Sequence, residues 1–187
     1  MITVFVASSA RFSHVEWMTP FSIKENTSDL VEIHIITPGD GVPETGCTGF
    51  TNLRYLVPKL CRDMGRTHGI YLDVDMLVLG DIADLWEYRH AGDWATLLDG
   101  SDEVSIFSSV CQFPDIATHN KTQLRGAQQR TPAIPMEWNS EDGVISGAKL
   151  LHFTDLNTQP WDTEHPNINA RLHYEAYRAR YLARNGA

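Results

Sequence analysis

The pattern of apolar and polar residues predicts strands alternating with helices over most of the chain. The first run, ITVFVA (2–7), is β-branched and aromatic without strict alternation, which is typical of a strand buried on both faces. Apolar residues at helical spacing follow in HVEWMTPFSIKENTS (14–28), and a second strand that ends in a Pro-Gly turn is predicted in LVEIHIITPGDG (30–41). These three elements predict a βαβ unit whose first strand lies inside a parallel sheet.

The same alternation continues towards the C-terminus. A helix is predicted in TNLRYLVPKLCRDMG (51–65), with Gly65 as its end and Pro58 inside the pattern. Residues 111–149 are predicted to be mainly loop, and a C-terminal helix is predicted at about 167–185 with Gly186 as its stop. The remaining predictions are strands in GIYLDVD (69–75), WATLLD (94–99), VSIFSSV (104–110) and KLLHFT (149–154), and a strand fragment plus a short helix in MLVLGDIADLWEY (76–88). This order predicts an α/β fold in one domain over residues 1–187.

Composition and charge narrow the classes of partner. The chain has 187 residues, 42% of them hydrophobic, and a formal net charge of -9, which repels phosphate backbones and argues against nucleic acid as a partner. No apolar run has the ~20 residues of a membrane span and no leader is recognised, so a cytoplasmic location is the default expectation. Cys47, Cys61 and Cys111 lack metal or redox spacing and are expected to be reduced thiols.

Two aspartates, Asp73 and Asp75, end the apolar run GIYLDVD. Residues two apart on an extended chain point to the same side, so the two carboxylates would repel unless a cation lay between them. A hard divalent ion, Mn²⁺ or Mg²⁺, completed by substrate phosphate oxygens, is one interpretation. The other is that Asp-x-Asp only ends the strand and begins a turn.

Two enzyme classes combine a hydrophobic strand with Asp-x-Asp. Haloacid-dehalogenase-type phosphatases use the first aspartate as nucleophile, but their usual Thr or Val at the fourth position is Leu77 here, and no convincing later acidic pair follows. Glycosyltransferases of the GT-A fold use the pair to hold the metal that binds a diphosphate. The surrounding residues favour the second class.

Several segments of the chain resemble glycosyltransferase family 8, the group of the glycogenins and the lipopolysaccharide galactosyltransferases. An Arg-aromatic-x-x-Pro-x-Leu helix precedes the Asp-x-Asp strand, and an Asp-Ile-x-x-Leu-Trp segment follows it. The segment KLLHFTDLNTQPW (149–161) resembles the family's distant His…Pro-Trp motif, and IPMEWN (134–139) resembles a further element of the family. The matching residues are Arg54, Tyr55, Pro58, Leu60, Asp73, Asp75, Asp81, Ile82, Leu85, Trp86, His152, Pro160 and Trp161.

The resemblance implies a GT-A-type, Rossmann-like fold with a mostly parallel sheet flanked by helices. It implies retaining transfer of a hexose from a nucleoside diphosphate sugar, UDP-Glc or UDP-Gal, to a saccharide or glycan acceptor, with Mn²⁺ or alternatively Mg²⁺ as cofactor. The implied metal ligands are Asp73, Asp75 and His152. The implied donor contacts are Ala7, Ser8, Ser9, Arg54, Asp73, Val74 and Asp75, and candidate sugar or acceptor contacts are Asn139, Gln159 and Trp161. No catalytic residue on the acceptor side is identified.

The sequence departs from the family in three places. Ser9 stands where an acidic residue is usual, Gln159 stands where a lysine precedes Pro-Trp, and residues 99–140 are compressed. The second departure removes one cation that would contact the diphosphate. A nucleotide-sugar-binding protein without turnover is therefore a third interpretation, beside the transferase and the phosphatase.

Overall fold

The first strand lies inside the main sheet, as the sequence predicts. A computed structural model of the chain describes residues 1–39, 44, 46 and 48–186. β1 (Ile2–Ala7) is buried along its whole length, and it pairs in parallel with β2 (Val31–Ile36) on one side and β3 (His68–Asp73) on the other. Helix α1 (Met18–Asn26) connects β1 to β2, so the predicted βαβ unit is confirmed.

The described residues form two sheets and five α-helices. The six-stranded sheet has the order β2-β1-β3-β6-β5-β7, and only β6 runs against the other five strands. A smaller sheet has the order β4-β9-β8. The remaining elements are β4 (Met76–Val78), β5 (Trp94–Leu97), β6 (Ser105–Ser108), β7 (Thr131–Ile134), β8 (Ser140–Glu141), β9 (Leu150–His152), α2 (Val57–Asp63), α3 (Ile82–Trp86), α4 (Lys121–Gly126) and α5 (Ile168–Asn185). The mixed, mostly parallel sheet with flanking helices confirms the predicted fold class.

The helix predicted at 51–65 is divided in two. A 3-10 turn at Leu53–Leu56 leads into α2, and Pro58 lies in the first turn of α2, where its missing N–H costs no hydrogen bond. Gly65 has a φ of 66°, the left-handed conformation that favours glycine after a helix end. The predicted end of the helix is therefore confirmed, and its first turn is 3-10.

The C-terminal helix matches its prediction closely. Asn167 caps the start of α5 by accepting a hydrogen bond from the Ala170 N–H at 3.0 Å, and Gly186 follows its end with a φ of 72°. Ala170, Tyr174 and Tyr177 lie on one face and pack in a second core cluster with Met18, Leu77, Leu151 and Phe153. In the part of the chain described, no helix is both long and apolar enough to cross a membrane.

The prediction of loop for residues 111–149 is wrong in part. This segment contains α4, β7, a 3-10 turn at Met136–Trp138 and β8. Pro132 lies in β7, and a proline weakens a strand prediction, yet β7 is an edge strand, where proline is tolerated. These elements are only two to six residues long, so the local sequence pattern gives too weak a signal to predict them.

The cysteines described are free thiols. Cys61 and Cys111 are both buried, and burial raises the pKa of Cys61 to about 12 and that of Cys111 to about 11. These two thiols are therefore protonated and unreactive at neutral pH. Cys47 lies outside the described residues.

Gly69 in β3 lies where the strand packs closely against Phe5 of β1 and Cys61 of α2. A Cβ at this position would lie 2.7 Å from a ring carbon of Phe5 and 2.8 Å from the Cys61 Sγ, both buried. We expect Gly69→Ala to lower the free energy of unfolding by about 1–3 kcal/mol, because the packed ring and thiol must move. Urea unfolding measures this. The control is Gly126→Ala, where a Cβ meets nothing within 4 Å, and equal stability of the two variants would contradict the prediction.

Candidate metal centre

The site begins where β3 ends. Asp73 is the last residue of β3, and Asp75 follows two residues later in the turn to β4. The Thr19 hydroxyl, from α1, lies 2.8 Å from the Val74 carbonyl and 2.6 Å from the Met76 carbonyl, which holds this turn against the helix. Both aspartates are buried: Asp73 is 5% exposed and Asp75 is 2% exposed. The sheet therefore delivers two acidic groups into an environment that disfavours their charge.

The smaller sheet brings His152 to the two aspartates. β9 runs antiparallel to β4, and the register places His152 opposite Met76. The His152 Nε2 lies 3.4 Å from the Asp75 Oδ1 and 3.8 Å from the Asp73 Oδ2. One ligand atom from each of the three residues falls within 4.8 Å of the others. The three residues that the sequence analysis assigned to a metal are thus brought together from positions almost 80 apart in the chain.

Asp73 is held by two further side chains. Its Oδ1 accepts a hydrogen bond from the Tyr71 hydroxyl, and its Oδ2 lies 3.5 Å from the Arg54 Nη2. Burial raises the pKa of Asp73, the charge of Arg54 opposes that rise, and the charge of Asp75 adds to it. The net direction is upward, which indicates a site with less positive charge than its carboxylates require.

The donor groups fit a divalent cation. Burial alone would lower the pKa of His152, but the hydrogen bonding and charge of Asp75, with the charges of Asp73 and Glu103, raise it to about 9. Beyond its 3.4 Å contact with the His152 Nε2, the buried Asp75 Oδ1 has no partner among the described residues. Two carboxylates and an imidazole suit Mn²⁺ or Mg²⁺, with imidazole favouring Mn²⁺ of the two. Without a metal, the protonated imidazole supplies the only positive charge lying between these two carboxylates among the residues described.

Asn139 fixes the orientation of the His152 ring. The Asn139 Nδ2 donates to the Glu103 Oε2 at 3.0 Å and to the Glu141 Oε1 at 3.1 Å, so its Oδ1 faces the ring. The His152 Nδ1 lies 2.9 Å from this Oδ1 and donates to it. The opposite nitrogen, Nε2, is thereby directed at the two aspartates. Asn139, a candidate sugar contact in the sequence analysis, is buried and has its amide committed to these three side chains.

Arg54 is also committed to protein groups. Its Nε donates to the Thr51 carbonyl at 3.0 Å, and its Nη1 donates to the Asp102 carbonyl at 2.8 Å and the Asp102 Oδ1 at 3.1 Å. Asp102 is buried and accepts a further hydrogen bond from the Tyr55 hydroxyl at 2.7 Å. Arg54 itself is only 3% exposed. The structure therefore places Arg54 against Asp73, and its predicted contact with the donor stays a prediction.

The other residues predicted to contact the donor border Asp73. Ala7 pairs with Asp73 across the sheet, and its carbonyl accepts from the Val74 N–H at 3.0 Å. The Ser8 hydroxyl donates to the Glu16 Oε1 at 2.7 Å, and the Ser9 hydroxyl donates to the Thr48 carbonyl at 2.8 Å. Residues 7–9 thus lie at the same edge of the sheet as the acidic pair, with both serines buried.

Gln159 is buried, and Trp161 is partly buried in aromatic packing. The Gln159 Nε2 donates to the Phe153 carbonyl at 3.0 Å, and the residue is 1% exposed. The Trp161 ring packs edge-on against Phe12 and Phe153. The two residues form part of the packing behind β9, and their predicted role as sugar contacts stays a prediction.

A small cleft of about 140 Å³ opens over the acidic pair. Sequence reasoning missed Glu103, Lys121 and Thr154 in its wall, because none of them stands at a recognisable spacing from the Asp-x-Asp motif. Lys121 and Glu103 come from the compressed region, where the sequence analysis found no family element. The lining residues are Thr48, Thr51, Arg54, Asp73, Asp75, Glu103, Lys121, His152 and Thr154.

Comparison with solved structures identifies the fold. The galactosyltransferase LgtC, solved in complex with donor and acceptor sugar analogues, is 12% identical and aligns over 95% of this chain and 96% of its own, with a TM-score of 0.66. The glycosyltransferase GlyE of Streptococcus pneumoniae TIGR4 is 13% identical over 95% of this chain and 60% of its own, with a TM-score of 0.65. The bifunctional glycosyltransferase WbbM is 11% identical over 94% of this chain and 49% of its own, with a TM-score of 0.66.

No protein-family model matches the chain, and no curated protein sequence matches it significantly. At identities of 11–13%, the structural likeness establishes the fold. The GT-A-type fold expected from the sequence is therefore confirmed, while membership of family 8 stays a prediction.

Metal binding should depend on pH. His152 has a pKa of about 9 without metal, and it must lose its proton to become a ligand. We expect the Mn²⁺ affinity to rise by about tenfold per pH unit from pH 7 towards 9 and then to level off. Calorimetry in buffers of different ionisation enthalpy would measure both the affinity and the released proton. An affinity that is constant from pH 7 to 9 would contradict this protonation state.

Asn139→Ala should weaken metal binding without unfolding the protein. The substitution frees the His152 ring to rotate, and loss of such an orienting partner typically costs about 10–100-fold in metal affinity. Paramagnetic resonance of free Mn²⁺ measures the affinity without any substrate. The matched control is the exposed amide variant Asn157→Ala, in a turn after β9, which we expect to bind Mn²⁺ like wild type.

Proposed function

We propose that this protein is a divalent-metal-dependent glycosyltransferase that moves a hexose from a nucleoside diphosphate sugar to a saccharide or glycan. One observation carries the proposal: two carboxylates and an imidazole meet within 4.8 Å at the carboxyl end of β3, in a fold shared with LgtC over 95% of the chain. Ligands of open α/β sheets bind outside the carboxyl ends of the strands. The site is thus where this architecture holds its substrates.

The proposed donor is UDP-Glc or UDP-Gal, and the proposed outcome is retention of the anomeric configuration. Both rest on the resemblance of the motifs around Arg54, Asp73 and His152 to family 8. LgtC is a galactosyltransferase whose structure contains donor and acceptor sugar analogues, which supports a hexose donor and a saccharide acceptor for this chain. The nucleoside is proposed to lie along Ala7, Ser8 and Ser9, which border Asp73.

Asp73, Asp75 and His152 would hold the metal, Mn²⁺ by preference and Mg²⁺ as the alternative. A bound divalent ion acts as a Lewis acid that neutralises the charge of a departing nucleoside diphosphate. The surrounding side chains would hold the metal ligands in position. Tyr71 and Arg54 each hold one oxygen of Asp73, and the burial of the site keeps these interactions strong by excluding water.

A second candidate, a nucleotide-sugar-binding protein without turnover, is favoured by Gln159. This residue replaces the lysine usual before Pro-Trp, and its amide is directed at the Phe153 carbonyl. The contact that a lysine would make to the diphosphate therefore has no counterpart at this position. Binding would survive the loss more readily than catalysis, because catalysis requires the developing charge on the leaving group to be offset.

UDP binding should require both the metal and Asp75. We expect calorimetry to detect UDP binding to wild-type protein with Mn²⁺, and a loss of at least roughly 100-fold in affinity for Asp75→Ala or after chelation, because the metal links the protein to the diphosphate. The control is Asp29→Asn, an exposed aspartate at the opposite end of the sheet, before β2. Metal-independent UDP binding would contradict the proposal.

Turnover separates the candidate functions. Release of UDP from UDP-Glc or UDP-Gal by wild type with Mn²⁺, and its absence in Asp75→Ala, would support the transferase. Mn²⁺-dependent binding without release would support the binding protein. Release of phosphate from p-nitrophenyl phosphate would support the haloacid-dehalogenase-type alternative, in which Asp73 is the nucleophile.

A further inference from the structure

The cleft over Asp73 and Asp75 has little cationic surface available to an anionic ligand. Among the described residues of its wall, the positive side chains are Arg54, Lys121 and, when protonated, His152. Arg54 has its Nε and Nη1 occupied by backbone and carboxylate oxygens and its Nη2 turned to Asp73. His152 faces the two aspartates. Lys121 is therefore the remaining cation of the described wall that could contact a diphosphate.

Lys121 is held at the rim of the cleft by the start of α4. Asn120 and Gln123 form a reciprocal capping box, with hydrogen bonds of 3.0 Å and 2.9 Å between their side chains and each other's backbone N–H groups. Lys121 is the first residue of the helix, so its backbone position is fixed by this cap. Its side chain is 38% exposed, which leaves the ammonium group accessible from the cleft.

The nearest carboxylate does not fully engage Lys121. The Lys121 Nζ lies 3.7 Å from the Asp102 Oδ1, beyond hydrogen-bond distance. Asp102 already accepts from Arg54 at 3.1 Å and from Tyr55 at 2.7 Å, and the Arg125 Nε lies 3.5 Å from its other oxygen. Arg54, Tyr55 and Arg125 all lie closer to the Asp102 carboxylate than Lys121 does, so the charge of Lys121 is incompletely offset. Burial and the charge of Arg54 accordingly lower the pKa of Lys121.

Lys121 also stands between two cavities. Together with Thr51 it lines both the cleft over the acidic pair and a neighbouring groove of about 530 Å³. The groove continues along Ile116, Thr118 and His119. An ammonium group at this junction can reach a ligand that occupies the small cleft, whose own volume of about 140 Å³ is too small for a whole nucleotide sugar.

We propose that Lys121 binds the diphosphate of the donor and supplies the cationic contact that Gln159 cannot. The inference rests on the proposed function, because it assumes a nucleoside diphosphate in the metal cleft. It changes the role assigned to Arg54, which positions Asp73 and leaves the phosphate contact to Lys121. A flexible ammonium group is suited to this, since it approaches phosphate as a point charge without a fixed bidentate geometry.

The test compares the binding of UDP, of inorganic pyrophosphate and of Mn²⁺ alone to Lys121 variants. With saturating Mn²⁺, we expect Lys121→Gln to weaken binding of UDP and of inorganic pyrophosphate by about tenfold, the effect of losing one charge-assisted contact at a half-exposed position. Lys121→Arg should retain most of the affinity. The salt dependence of UDP binding should be smaller in Lys121→Gln than in wild type, because one fewer charge is screened.

Two controls keep the test specific. Lys59→Gln removes an exposed lysine of α2 that pairs with Asp63 at 2.6 Å, and it should bind UDP like wild type. Binding of Mn²⁺ alone should be the same in Lys121→Gln and wild type, because Lys121 touches no metal ligand. Thermal unfolding of each variant verifies that the fold is intact.

The failure of this inference can be distinguished from failure of the proposed function. Wild-type protein that does not bind UDP in the presence of Mn²⁺ would overturn both. Mn²⁺-dependent UDP binding that is equal in wild type and Lys121→Gln would overturn the role of Lys121 alone. Loss of Mn²⁺ binding in Lys121→Gln would also overturn it, because the lysine would then act on the metal ligands.

Discussion

The close burial of two carboxylates at one strand end is the constraint on which the rest of the site depends. Asp73 and Asp75 are each at most 5% exposed, and two buried negative charges in contact are unfavourable unless positive charge offsets them. His152 is the group that the fold brings between them. Its raised pKa favours the protonated imidazole in the protein without metal, and this positive charge offsets part of the negative charge of the two carboxylates.

Support for these charges extends outward in two directions. On one side Arg54 holds Asp73, and Asp102 holds Arg54, so a buried carboxylate lies at the base of the arrangement. On the other side Asn139 orients His152 and is itself held by Glu103 and Glu141. Two of the three candidate metal ligands, Asp73 and His152, are thereby fixed by a neighbour that makes hydrogen bonds of its own. Such fixed ligands favour binding, because little rearrangement is needed when the ion arrives.

Sequence patterns predicted the long elements well and the short ones poorly. The buried strands β1 and β3 and the helix α5 have strong local signals, namely β-branched runs, an asparagine cap and a terminal glycine. Residues 111–149 contain α4, β7 and β8, each of six residues or fewer, which owe their conformation to pairing and packing with distant residues. Lys121, the first residue of α4, was missed for the same reason, since its place in the cleft wall follows from how this short helix docks.

The sequence by itself determined the fold class and the identity of three residues that could share a metal. The apolar runs define the strands, and the Asp-x-Asp and His…Pro-Trp motifs carry enough chemical specificity to be recognised without a structure. Tertiary structure alone decided which side chains are free to meet a ligand. Arg54 and Asn139 make hydrogen bonds to other protein groups, whereas the Lys121 Nζ lies beyond hydrogen-bond distance of the Asp102 carboxylate. Hydrogen-bond commitment depends on partners far away in the chain, and spacing along the sequence does not record it.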